Sequence, residues 1–135
     1  MEKISGPLLD RIDLHVNVPS VEYEAMRRKE IPESSADVKK RVDAARAIQT
    51  RRFDGTGTAC NAHMTPAQIG EFCSLDKAGE ALMKSAFDRM GLTARSHDRI
   101  LRVARTIADL DGEETIASYH LAEAIQYRES EYFQR

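Results

Sequence analysis

The sequence has no tryptophan, only 6% aromatic residues and just two cysteines among 135 residues. So few aromatic rings argue against a stacking platform for single-stranded nucleic acid. Cys60 and Cys73 form neither a disulfide framework nor a CxxC redox motif. Charge of one sign is missing too: 20 Lys and Arg face 22 Asp and Glu, a formal net charge of -2. Such balance excludes a polybasic binder held to nucleic acid by bulk charge, though a local basic face stays open. No apolar run is long enough to span a bilayer and no secretory apolar region opens the chain. With a mean hydropathy of -0.50, the expectation is a cytoplasmic, water-facing domain of ordinary size. No glycine is followed by lysine, so the phosphate-cradling loop GxxxxGK[ST] is absent from these residues.

The pattern that remains is mostly helical. Ile12, Leu14, Val16 and Val18 alternate with Arg11, Asp13, His15 and Asn17 before Pro19, which is a strand signal. No second convincing strand follows, and a strand without a ladder does not persist. The segment has therefore lost its sheet, finds one in another chain or is not formed, and within this chain it is expected to be loose or to pack differently. Residues 22–29 can form a short helix, and Ile31-Pro32-Glu33-Ser34 reads as a linker. A hydroxyl cap and an acid at 34–37 open a helix to Phe53, with Val38, Val42, Ala45 and Phe53 on one arc. Thr65-Pro66-Ala67-Gln68 is a strong second entry, and that helix ends near Cys73. Ser74 is expected to open a third, with a stripe of Ala78, Leu82, Ala86 and Met90 widened by Met83 and Phe87, closed by Gly91. Thr93 caps a long helix from Ala94 to Leu110, and Ser118 caps the last, with Leu121, Ala122 and Ile125 inward. The fold class is all-α, a bundle of four or five helices preceded by an orphan strand segment.

The Ala94–Leu110 helix carries the most chemistry. At 100° per residue, Ile100, Leu101, Val103, Ala104, Ile107 and Ala108 form a broad apolar face. Arg95, Arg99 and Arg102 line the other side, with Arg105 at its edge. Arg95 at the second helical position opposes the positive end of the helix dipole, which an anion would relieve. Two readings fit: a phosphate clamp, or an arginine neutralised by Asp98, which helical spacing brings within reach of Arg95 and Arg102.

Pro7-Leu8-Leu9-Asp10-Arg11-Ile12-Asp13-Leu14-His15 resembles the end of the ATPase core in AAA+ proteins of the magnesium-chelatase and MCM-like branch. Gly91-Leu92-Thr93-Ala94-Arg95, the helix after it, and His120 to Arg128 resemble the lid of the same proteins, in particular the competence-related YifB/ComM branch. The resemblance covers nearly the whole chain. It implies that Arg11 is an arginine finger acting in trans and Arg95 the sensor-2 residue on an ATP phosphate. It further implies ATP and Mg2+ in a longer parent, a homo-oligomeric ring expected to be hexameric, and DNA remodelling in preference to porphyrin metallation. Residues 1–20 become a remnant of the ATPase core, 21–34 a linker, 35–130 the helical lid and 131–135 a tail. The fragment alone is expected to be monomeric, without bound cofactor and without ATPase activity. The competing reading is a free-standing module for nucleic acid or protein, using the basic Lys39–Arg52 face.

Other residues have plainer readings. Cys60, His63 and Cys73 lack the two tight ligand pairs of structural zinc. Asp109 to Glu114 resembles only a shred of a calcium loop. His97 is expected to be packed on the apolar side of its helix, and Arg99, Arg102 and Asn61 have no assigned role beyond surface, contact or turn.

Overall fold

A computed structural model of the chain describes residue 8, residues 11–16 and residues 32–129. Among these residues five α-helices form: α1 (Ser35–Arg52), α2 (Pro66–Phe72), α3 (Lys77–Met90), α4 (Ala94–Leu110) and α5 (Ser118–Glu129), with a 3₁₀ turn over Asn61–His63 before α2. The architecture is the all-α bundle expected. The proposed helix at 22–29, the strand end at Asn17 and Val18, and the tail at 131–135 lie outside the described residues.

Local chemistry sets the helix entries. Ser34 Oγ accepts the Asp37 N–H at the head of α1. Thr65 accepts the Gln68 N–H while the Gln68 side chain accepts the Thr65 N–H, a reciprocal capping box before Pro66. Thr93 caps α4 by accepting the Ser96 N–H at 3.1 Å, so Arg95 does stand at the second helical position. Two entries differ from expectation. Helix α3 is capped by Asp76, which accepts the Gly79 N–H at 2.7 Å, and not by Ser74. A carboxylate is the stronger acceptor at the positive helix end. At α5 the residue outside the helix is Ala117, whose N–H donates to His120 Nδ1 at 2.9 Å, so the cap comes from within the helix and Ser118 does not supply it.

Helix α4 is the centre of the bundle, packed against α1, α2, α5 and the 3₁₀ turn. Ile100, Leu101, Ala104 and Ala108 on it are buried, and the two alanines let α5 approach closely with Leu121, Ala124 and Ile125. An isolated parallel bridge between Leu75 and Ile116 ties the link before α3 to the link before α5. The inward stripe of α3 is Gly79, Met83, Ala86 and Met90: Met83, Ala86 and Met90 are as expected, and Gly79 takes the place expected of Ala78. Ala78 and Phe87 are exposed, and Leu82 sits at the edge of the core. On α1 only the C-terminal half is buried: Ala45 and Phe53 are covered, while Val38 and Val42 stay about 40% exposed.

Residues 12–16 form no strand. Ile12, Leu14 and Val16 are exposed. The segment packs against the bundle instead: the His15 N–H donates to the Tyr127 carbonyl of α5 at 2.8 Å, and Asp13 pairs with Arg99 of α4.

Candidate functional site

The sequence-predicted residues Arg11 and Arg95 meet. Both line an open pocket of about 460 Å³ together with Asp98, Arg99 and Arg102. Three of the arginines come from successive turns of the exposed α4 face; the fourth arrives on the segment folded back over it. Four guanidiniums face one carboxylate in this pocket. Like charges so gathered create a positive potential that an anion would relieve.

Asp98 does not neutralise Arg95. Its Oδ1 lies 3.2 Å from His97 Nδ1, and no ion pair among the described residues joins it to Arg95 or Arg102. His97 is accordingly 37% exposed on its side chain and not packed in the core as expected, because its ring swings toward that carboxylate. Among the described residues Arg11 and Arg95 have no hydrogen-bond or ion-pair partner. Arg99 donates through Nη1 to Asp13, and Arg102 donates through Nη2 to the Met64 carbonyl at 3.0 Å. The Nε atoms of both are buried with no partner. Buried donors normally find acceptors, and phosphate oxygens bordering this pocket would supply them. The residues present thus fit a phosphate group.

They do not fit Mg2+. Among the described residues no three acid, histidine or cysteine side chains gather as a metal set, the Cys60–His63–Cys73 and Asp109–Glu114 groups included. Cys73 is a buried core thiol, pushed up to about 11 by burial.

Sequence reading missed a second polar cluster, toward the other end of α4. Asp109, at the C-terminal end of α4, is fully buried and accepts two parallel bonds from Arg52 of α1, at 2.6 and 2.8 Å. Asn61 Nδ2 donates to the same carboxylate at 2.8 Å, and Arg105 Nε donates to it at 3.2 Å. Asn61 also accepts from Arg52 and receives the side chain of Gln49 on its own N–H. The Arg52 guanidinium lies 5.9 Å from the centroids of Phe53 and Phe72, themselves edge to face. Arg105 is therefore core and not the edge of the arginine stripe. It donates to the carbonyls of Glu113 and Glu114 at 2.7 and 2.8 Å, and desolvation lowers its pKa while Asp109 opposes that shift. The Arg105–Asp109 spacing of one helical turn was a readable signal; the Arg52–Asp109 pair, 57 residues apart, was not.

The basic Lys39–Arg52 face is thereby depleted. Lys39 pairs with Asp43, Arg41 with Glu33, and Arg52 is turned inward to Asp109.

The family model for magnesium chelatase, subunit ChlI C-terminal, matches residues 32–128, and the model for magnesium chelatase, subunit ChlI, matches residues 1–26. The chain is 38% identical over 129 residues to the uncharacterized protein YifB of Escherichia coli and 37% identical to the competence protein ComM of Haemophilus influenzae. The YifB protein of Salmonella typhimurium is 36% identical. Each alignment covers 95% of this chain and 25% of the relative, so the chain spans about a quarter of the length of these relatives. With its helical bundle matched almost from end to end, the chain belongs to the family of magnesium chelatase subunit ChlI C-terminal domains.

Proposed function

We propose that this chain is the lid portion of a magnesium chelatase-like AAA+ ATPase, supplying Arg95 as sensor 2 and Arg11 as arginine finger to the phosphates of ATP held by a neighbouring subunit. The observation that carries this reading is that Arg11 and Arg95, 84 positions apart in the sequence, line one pocket with two further arginines. Residues 1–20 are then the end of the ATPase core, 21–34 a linker, 35–130 the lid and 131–135 a tail. Separate family matches over residues 1–26 and 32–128 support that division.

The chemistry of the residues follows from their shape. A phosphoryl group in transfer spreads negative charge over its oxygens. A guanidinium presents two parallel donors to two such oxygens, which an ammonium cannot. Arg95 stands among the free N–H groups of the first turn of α4, where the helix dipole also favours an anion. Arg11 lines the same pocket. The nucleotide cradle and the Mg2+ ligands are not among the residues here, so this chain alone is expected to have no ATPase activity. In the parent the lid closes on nucleotide at a boundary between cytoplasmic subunits of a homo-oligomeric, hexameric ring. Mg2+ bound elsewhere in the parent offsets phosphate charge. The description of the Haemophilus relative as a competence protein favours DNA over a porphyrin as what the ring works on.

The test is ATP turnover by the full-length ATPase that carries this lid, with Arg95→Ala and Arg11→Ala, beside sedimentation of the ring. Loss of about a thousandfold in turnover for Arg11→Ala with assembly intact is expected, the range known for such fingers. Wild-type turnover by Arg95→Ala would refute the sensor role. Strong, steeply salt-dependent DNA binding by the isolated chain, unaffected by Arg95→Ala, would favour a free-standing nucleic-acid module instead.

A further inference from the structure

We infer that the Asp13–Arg99 ion pair is a positioning latch that holds Arg11 against Arg95, so that one subunit presents the two guanidiniums as a single fork. The inference rests on the phosphate reading of the pocket. Arg11 and Arg95 are cations lining the same pocket, and neither has a counterion among the described residues. Left to themselves they repel, and Arg11 sits on a segment that forms no strand over residues 12–16. Something must hold that segment down.

The geometry supplies it. Asp13 lies two residues beyond Arg11, and Arg99 lies one helical turn beyond Arg95 on the same face of α4. Two residues of chain span at most about 7 Å, and four residues of α-helix rise about 6 Å. Pinning residue 13 to residue 99 therefore brings residue 11 abreast of residue 95 in the same step. The side chain of Arg99 is only 20% exposed and that of Asp13 46%, so the pair is partly shielded from solvent. A second anchor keeps the register: the His15 N–H on the Tyr127 carbonyl, with the exposed Leu14 bordering an apolar cleft that Ile107, Leu110 and Tyr127 also line. Asp13 thus acts through Arg11 and is a positioning residue in this scheme, while Arg99 both lines the pocket and holds Asp13.

The sign of one substitution separates a latch from plain electrostatics. Asp13→Asn removes a negative charge close to an anion site, and charge alone would tighten anion binding, by about twofold at an exposed position. A latch predicts the opposite. If the held fraction falls to a third, the apparent Kd rises about threefold. The experiment is an NMR titration of the 135-residue chain with inorganic tripolyphosphate at low ionic strength. The variants are Arg95→Ala, Asp13→Asn and the charge swap Asp13→Arg with Arg99→Asp. Expected are binding by the wild type, its loss in Arg95→Ala, and a threefold or greater weakening in Asp13→Asn. Hydrogen exchange at the His15 amide is expected to quicken in Asp13→Asn and to slow again in the swap. No binding by the wild type, or equal binding by Arg95→Ala, overturns the phosphate reading and the latch with it. Binding by Asp13→Asn as tight as or tighter than wild type, with Arg95→Ala still defective, overturns the latch alone.

Discussion

Asp109 is the residue on which the placement of α4 most depends, and Asp109→Asn tests that. The carboxylate is fully buried and receives four hydrogen bonds: two from Arg52, one from Asn61 and one from Arg105. The substitution keeps the shape but removes the charge, and it sets an amide N–H₂ against donors. Two guanidiniums, with side chains 11% and 3% exposed, are then left in the interior without their anion. Breaking a buried pair from one side costs about 3–5 kcal/mol. A domain of this size has about 5–15 kcal/mol in total. Each kcal/mol corresponds to about 4–8 °C in Tm for a domain of about a hundred residues. A fall of at least about 12 °C is therefore expected, read by circular dichroism during thermal unfolding. Arg52→Ala and the double variant complete a cycle, and the two losses are expected to be far from additive because they break one contact. A shift of less than about 1 kcal/mol for Asp109→Asn, or additive losses, would refute the claim that this cluster fastens α1 to α4.

The other expectations follow from single groups. Gly91 closes α3 at φ +58 with open space where a Cβ would stand, so Gly91→Ala should cost about 1 kcal/mol from backbone conformation alone, measured by urea unfolding. Half-exposed Cys60 should react with iodoacetamide in the native chain at pH 8, while Cys73, buried and pushed up to about 11, should react only after unfolding. The side-chain hydrogen bonds from His120, then from Tyr119, lower the pKa of Asp111. A depressed carboxyl contributes stability above its unfolded pKa, and that contribution is lost as pH falls through the lower folded value. Wild type should therefore lose more stability than Asp111→Asn as pH drops below about 4, followed by thermal unfolding across that range.

How far the sequence could be read depends on whether the cause of a feature was local. The bounds of helix α4 and its apolar face were readable because the Thr93 cap is local and the face follows a 3.6-residue period, whereas Arg105 and His97 on it were misplaced. The α2 entry was readable because Thr65 and Gln68 satisfy each other three residues apart. The start of α3 was misplaced by two residues because Ser74 and Asp76 are both competent caps, and the bridge at Leu75 fixes the choice. Val38 and Val42 read as core because they share an arc with Ala45 and Phe53, yet α1 runs past the edge of the bundle before its apolar face meets anything.

The chain alone thus determined an all-α bundle, its helix boundaries to within a turn, and the candidate pair Arg11 and Arg95, since these rest on neighbours in sequence and on a family pattern. Tertiary structure decided the rest. It alone turned Arg52 and Arg105 inward onto Asp109 while leaving Arg95 bare, and it alone carried Arg11 across to the pocket. A helical period gives the direction in which a charge points along its own helix. Whether that charge meets water, a phosphate or a buried carboxylate is set by which distant segment the fold brings opposite it.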